Sequence, residues 1–380
     1  MTIKTLDEAI RYFTDTLAEH PERDALTAAE AACAGVRRRF PVLYLHHLAV
    51  PDDPTVPEPF YTLPRHEFPD TFEGRLAGEI LGALRPRDML NPGAAALSPG
   101  GAGSPADLVP SFGIPLSHDR GAAAFTRSLD EMLQAPPPDP DTAGLLPEMR
   151  ERIRRVKDLT PPAFKIRMPD MQGPFNLVHA MVGNDAFVAP LIEPEKFQSF
   201  MARVTDYWIA AHERLRTWIG PERRYPADRW ARITECSVNM VSEDFYREHI
   251  LPHDLRIARH FGAIWIHPCS GLHVFRVTLQ ELPNVAATEA GMMISRMAAP
   301  CVSVAEALRL IGDRPIMLSI GQELPEDPEA AFDIVRRDLD LHPTRPRQTY
   351  SYTGMFWRNK DRPMIRDLHQ RLDEHWEQRH

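Results

Sequence analysis

Ala263-Ile264-Trp265-Ile266-His267-Pro268-Cys269 is an apolar run that ends in an imidazole, a proline and a thiol. Its β-branched and aromatic residues read as a buried strand. Residues two apart in an extended chain point to the same side, so His267 and Cys269 leave the strand tip together. Both are soft donors suited to Zn²⁺. A packed thiol beside a hydrogen-bonded imidazole is the ordinary alternative, and the surrounding sequence has to decide.

Short strand-like runs recur on both sides of this one. Phe164-Lys165-Ile166-Arg167-Met168, Arg232-Ile233-Thr234-Glu235-Cys236, Asn284-Val285-Ala286-Ala287-Thr288, Pro315-Ile316-Met317-Leu318-Ser319 and Gln348-Thr349-Tyr350-Ser351-Tyr352 join it downstream of residue 160. Upstream, Pro41-Val42-Leu43-Tyr44-Leu45 and a weaker run near Ala94-Ala95-Ala96-Leu97 complete a set of eight. Amphipathic helical patterns alternate with them. Residues 195–220 place Phe197, Phe200, Met201, Val204, Trp208 and Ile209 at helical spacing, and Ser242 followed by Glu243 and Asp244 reads as an N-cap with acids in the first turn. Alternating strands and helices imply a parallel sheet, and eight strands would close it. The fold expected is therefore α/β, a (β/α)₈ TIM-type barrel. It forms one domain over 1–380, with a helical N-terminal extension over 1–40 and Pro/Gly-rich loops over 86–110 and 135–143.

With 380 residues and 43% hydrophobic content, the chain can bury a large core without covalent staples. Its 4 cysteines, at 33, 236, 269 and 301, show neither CxxC spacing nor a disulfide framework, which fits a reducing cytoplasm. No run approaches about 20 apolar residues, so no membrane span is expected. A net charge of −9 gives phosphate backbones no general attraction and argues against nucleic acid as a partner.

In a parallel barrel, residues at the C-terminal ends of strands converge on one mouth whatever their separation in sequence. That rule collects Gln172, Glu235, Cys236, His267, Cys269, Glu289, Gln322, Tyr350 and Tyr352. Glu235 and Cys236 come from the strand before His267, and thus from its neighbour in space. A third metal donor is on hand in either of them, which leaves an open position of the catalytic kind. Zinc held by His267, Cys269 and Cys236 would lower the pKa of a substrate thiol and present it as thiolate. Glu235, Gln322 and Tyr350 are then the catalytic candidates, and Gln172, Glu289 and Tyr352 the substrate-binding ones.

Several motifs resemble the uroporphyrinogen decarboxylase superfamily. Within it they are closest to the corrinoid-protein-dependent methyltransferases related to the coenzyme M methyltransferases. They are Phe112-Gly113-Ile114-Pro115, Gln172-Gly173-Pro174-Phe175, Ser242-Glu243-Asp244-Phe245-Tyr246-Arg247-Glu248-His249-Ile250-Leu251-Pro252, His267-Pro268-Cys269-Ser270-Gly271, and Ile311-Gly312-Asp313-Arg314 followed by Gly321-Gln322. The resemblance implies a barrel with a cleft at the strand C-termini. It also implies a zinc-dependent enzyme that moves a methyl group between a corrinoid-bearing partner protein and a small substrate. The decarboxylase branch carries an arginine loop after the first strand and an aspartate after the second, where this chain has Leu45-His46-His47-Leu48-Ala49 and Asn91-Pro92-Gly93-Ala94. Porphyrin decarboxylation is therefore not expected. The methyltransferase branch has a further cysteine near the last strand, where this chain has Thr349-Tyr350-Ser351-Tyr352-Thr353. Two rival readings stay open: a metal-free decarboxylase or lyase using Glu235, His267 and Tyr350, and a non-catalytic binding protein on the same barrel.

Overall fold

The computed structural model describes residues 2–19, 42–47, 65–83, 96–100, 107–117, 123–268, 272–290, 309–310, 317–323, 327–340, 349–354, 370–372, 374–375 and 378. The strands are β1 (Thr2–Ile3), β2 (Val42–His47), β3 (Arg65–His66), β4 (Ala96–Leu97), β5 (Lys165–Ile166), β6 (Ala231–Thr234), β7 (Ile264–His267), β8 (Val285–Ala290), β9 (Met317–Glu323) and β10 (Thr349–Gly354). The helices are α1 (Leu6–Glu19), α2 (Phe72–Ala83), α3 (Leu129–Gln134), α4 (Leu146–Leu159), α5 (Pro174–Val182), α6 (Asp185–Ile192), α7 (Pro194–Ile219), α8 (Glu243–Phe245), α9 (Leu251–Phe261), α10 (Leu272–Glu281) and α11 (Pro328–Asp340). A π-helical turn, Tyr246–Ile250, links α8 to α9. The protein is thus a helix-rich α/β molecule, and no single helix among the described residues is long and apolar enough to cross a membrane.

Each of the eight strand-like runs contains a strand, and every ladder between named strands is parallel. Six strands form one sheet in the order β2-β10-β9-β8-β7-β6, while β4 pairs with β5 and β1 with β3. β9 is described from Met317 and runs on to Glu323, four residues beyond the expected Ser319, while Pro315 and Ile316 lie outside the described residues. β10 likewise continues through Thr353 to Gly354. Of the N-terminal extension, α1 is seen; residues 20–40 lie outside the described residues.

Among the described residues no ladder joins β5 to β6. The segment Arg223–Tyr225 occupies that side of β5 instead. The Ile166 N–H donates to the Arg223 carbonyl at 2.6 Å, and the Tyr225 N–H to the Ile166 carbonyl at 3.2 Å.

Alternation along β6 and β7 separates two faces. Ala231, Ile233, Ile264 and Ile266 are buried in the core that also holds Ile257 and Ala258 of α9. Arg232, Thr234, Trp265 and His267 occupy the other face; Arg232 pairs with Trp265 and Thr234 with His267 in register. Helix α7 backs the molecule. Phe197, Phe200, Met201, Val204, Trp208 and Leu215 are all fully buried along one stripe, each contributing about 1.5–3 kcal/mol of apolar burial.

Candidate functional site

Helix α5 starts where Pro174 can occupy the first turn without wasting a hydrogen bond, directly after Gly173. The first N–H groups of a helix have no partner within it and attract negative charge. Here the ligand is Glu235, which follows β6 directly. The Phe175 N–H donates to Glu235 Oε1 and the Asn176 N–H to Oε2, both at 3.1 Å. Gly173 is required by this approach, because a Cβ there would run into the Glu235 carboxylate. The Gly173 N–H also donates to the Thr234 carbonyl at 2.6 Å.

Asn176 extends the clamp. Its Nδ2 donates to the Thr234 carbonyl at 3.0 Å and to Gln172 Oε1, while its Oδ1 accepts the Ser237 N–H at 2.7 Å. One turn on, His179 Nδ1 lies 2.8 Å from Ser237 Oγ, and burial lowers the His179 pKa. Residues 234–237 are thus held from one helix by backbone and side-chain bonds together. Cys236, half-buried and not in a disulfide, sits between two clamped neighbours at the start of the 3₁₀ turn Cys236–Met240.

Gln172 belongs to the same corner. It is buried and adopts a positive φ of 56°, a conformation uncommon outside glycine. Its carbonyl accepts the Trp208 Nε1–H at 2.6 Å, which ties the corner to α7.

Glu235 is fully buried and its carboxyl is held well above the usual range, first by burial and then by the nearby Asp254 charge; the two backbone donors oppose this. Asp254, on α9, is also fully buried. It accepts the Tyr246 hydroxyl at 2.6 Å, and burial pushes its carboxyl up to about 7. Two carboxyls that repel in a dry interior cannot both ionise cheaply, so at neutral pH the pair is disposed to retain a proton.

His267 ends β7, and its carbonyl accepts the Glu235 N–H at 2.9 Å, so Gln172, Glu235, Cys236 and His267 gather at one corner. Cys269 lies outside the described residues. Glu289 is in β8, one residue beyond Thr288, the register partner of Ile266. Gln322 and Tyr352 are register partners inside β9 and β10, and Tyr350 is the second residue of β10. These three lie within strands and not past their ends. Among the described residues, no three His, Cys, Asp or Glu side chains form a ready metal cage. The residues that sequence reasoning missed are Asn176, His179, Tyr246 and Asp254. Their nearest signal was Gly173-Pro174, which announces a helix start open to a carboxylate.

No family model matches the chain, and no curated protein matches it. Among solved structures it is similar to a methyltransferase from Methanosarcina mazei, with 12% sequence identity and a TM-score of 0.52; the match covers 73% of this chain and 81% of that chain. At that identity, the likeness is one of fold.

Proposed function

We propose that the chain is a cytoplasmic methyltransferase-like enzyme built on a single (β/α)₈ barrel, moving a methyl group between a corrinoid-bearing protein and a small substrate. The observation that carries this reading is the likeness of fold to a methyltransferase, with Cys236 and His267 brought to one corner at the ends of adjacent parallel strands. Pairing of β10 with β2 supports the barrel, since a ring of eight strands needs its last strand beside its first.

His267, Cys269 and Cys236 are a nitrogen and sulfur donor set that fits zinc. Glu235 is the poorer third donor, because both of its oxygens already accept backbone N–H groups. Zinc, when bound, would supply a lowered pKa to a substrate thiol. Glu235 acts as a positioning residue: by plugging α5 it fixes the chain on one side of Cys236, as Asn176 and His179 fix Ser237 on the other. Gln172, Glu289, Gln322, Tyr350 and Tyr352 are assigned to the substrate side of the cleft.

Elemental analysis of purified, tag-free protein tests this. Zinc should accompany the wild type and the Cys33→Ala variant and be lost from Cys269→Ala. Cys236→Ala should weaken zinc binding by a factor on the order of 10 or more. Equal metal content in all of these proteins would overturn the reading.

A further inference from the structure

A second concentration of charge lies apart from the Glu235 corner. Arg216 lies in the last turn of α7, Arg224 and Asp228 belong to the segment that follows, Arg167 comes directly after β5, and Arg232 is in β6. In a chain of net charge −9, three of these arginines bear on one carboxylate. Arg167, Arg232 and Arg216 all act on the charge of Asp228, and Arg224 acts on Arg216.

Asp228 is itself engaged with the backbone. Its Oδ2 already accepts the Met168 N–H at 2.7 Å. Although Asp228 keeps some surface, the protein packed around it pushes its carboxyl up to about 6 in spite of its cationic neighbours. Arg216 gives its Nη2 to backbone carbonyls, those of Asp228 at 3.1 Å and Arg229 at 2.7 Å. Burial and then Arg224 lower its pKa to about 10, with Asp228 opposing them. The Nε–H groups of Arg167, Arg216 and Arg224 are buried without a protein acceptor. Arg167 is meanwhile held over the Tyr225 ring at 5.1 Å, and Arg232 over Trp265 at 5.0 Å. Buried donors without acceptors and crowded like charges both cost stability, and one oxyanion relieves both.

We propose that the cluster formed by Arg167, Arg216, Arg224 and Arg232 around Asp228 is a binding site for a small oxyanion, a phosphate or carboxylate group. Guanidinium forks match the geometry of either group, and those of Arg167 and Arg232 already lie over aromatic rings. The gap between β5 and β6, filled by Arg223–Tyr225, brings arginines from separate elements to one place. The site stands on these residues alone and requires neither zinc nor methyl transfer.

The test is isothermal titration calorimetry of the full chain with inorganic phosphate and, separately, succinate, at constant ionic strength set with chloride. Saturable binding is expected. Arg167→Gln should weaken it at least tenfold. Asp228→Asn, which keeps an oxygen for the Met168 N–H but removes the competing charge, should strengthen it severalfold. Arg154→Gln, exposed and paired with Glu151 and Asp158, should leave it unchanged. Binding of phosphate alone or succinate alone with this pattern supports the site and identifies the group it takes. Absence of saturable binding with both anions overturns it, as does an unchanged affinity in Asp228→Asn, a variant that remains informative if Arg167→Gln fails to fold. Zinc content should not change in these variants, so this proposal and the methyltransferase reading can fail separately.

Discussion

The α5–β6 corner and the α7–α9 interface bury ionisable side chains in opposite ways. At the corner, Glu235 is given two backbone donors and Asn176 bonds on both sides of its amide. At the interface, His212 is 3% exposed, stacked on Trp208 at 4.9 Å and set against Phe261 at 4.6 Å, and its Nδ1 has no partner. Burial, then Arg216 and Arg224, hold the His212 pKa well below its ordinary value, so the ring stays neutral. The contrast teaches that burial pushes both groups toward their neutral forms, and that only Glu235 is also met by fixed donors. Those donors make Glu235 a structural part that cannot be removed.

Removal should therefore break the comparison most visibly. Glu235→Ala leaves the Phe175 and Asn176 N–H groups buried and unmet, at a cost of about 3 kcal/mol in urea unfolding. His212→Phe replaces an unmet polar group by an apolar one of similar shape and should be within about 1 kcal/mol of wild type. A Glu235→Ala cost no greater than that of His212→Phe would mean that the corner does not depend on its carboxylate.

The pH dependence sharpens the same contrast, because the two regions slope in opposite directions. Asp254 has a folded pKa of about 7, above its ordinary 3.8, so its contribution is present below pH 3.8 and is lost as pH rises toward 7. His212, depressed from 6.5, contributes above pH 6.5 and loses that contribution as pH falls. His253, lowered to about 4 by burial, reinforces the histidine slope. Between pH 4 and 7 the two trends oppose each other in the wild type. Asp254→Asn should make stability rise with pH across this window, whereas His212→Phe should make it fall. Thermal melts at pH 4, 5.5 and 7 decide the matter, and parallel curves for the two variants would contradict it.

An effect smaller than that of Glu235→Ala is expected between the regions. Ser242 Oγ accepts the Phe245 N–H at 3.1 Å at the start of α8, so Ser242→Ala should cost about 1 kcal/mol. An effect equal to that of Glu235→Ala would place the weight of this segment on the cap and away from the corner.

Much of the scaffold was legible in the sequence, because strand periodicity, α7's apolar stripe and the Ser242 cap are local signals. His267 at a strand tip was legible for the same reason. The role of Glu235 was not. Its position after β6 marked it for the mouth of the cleft, but whether its carboxylate meets substrate or a helix end depends on how closely α5 approaches, and Gly173 sets that distance. Tyr246 and Asp254 escaped notice because they are eight residues apart on either side of a π-helical turn, a spacing regular helical periodicity does not anticipate. The arginine cluster draws on separate elements and left no local pattern at all.

The ladder between β10 and β2 carries a kinetic consequence. Its partners, Thr349 and Val42, are about 300 residues apart in the chain. During synthesis β2 emerges before β10 and must wait for all of the intervening chain before β10 can pair with it. Such distant pairing makes completion of the six-stranded sheet a late event and leaves a strand edge open to other chains until then. Recovery after dilution from denaturant should accordingly fall with protein concentration, as nascent edges meet one another before they meet β10.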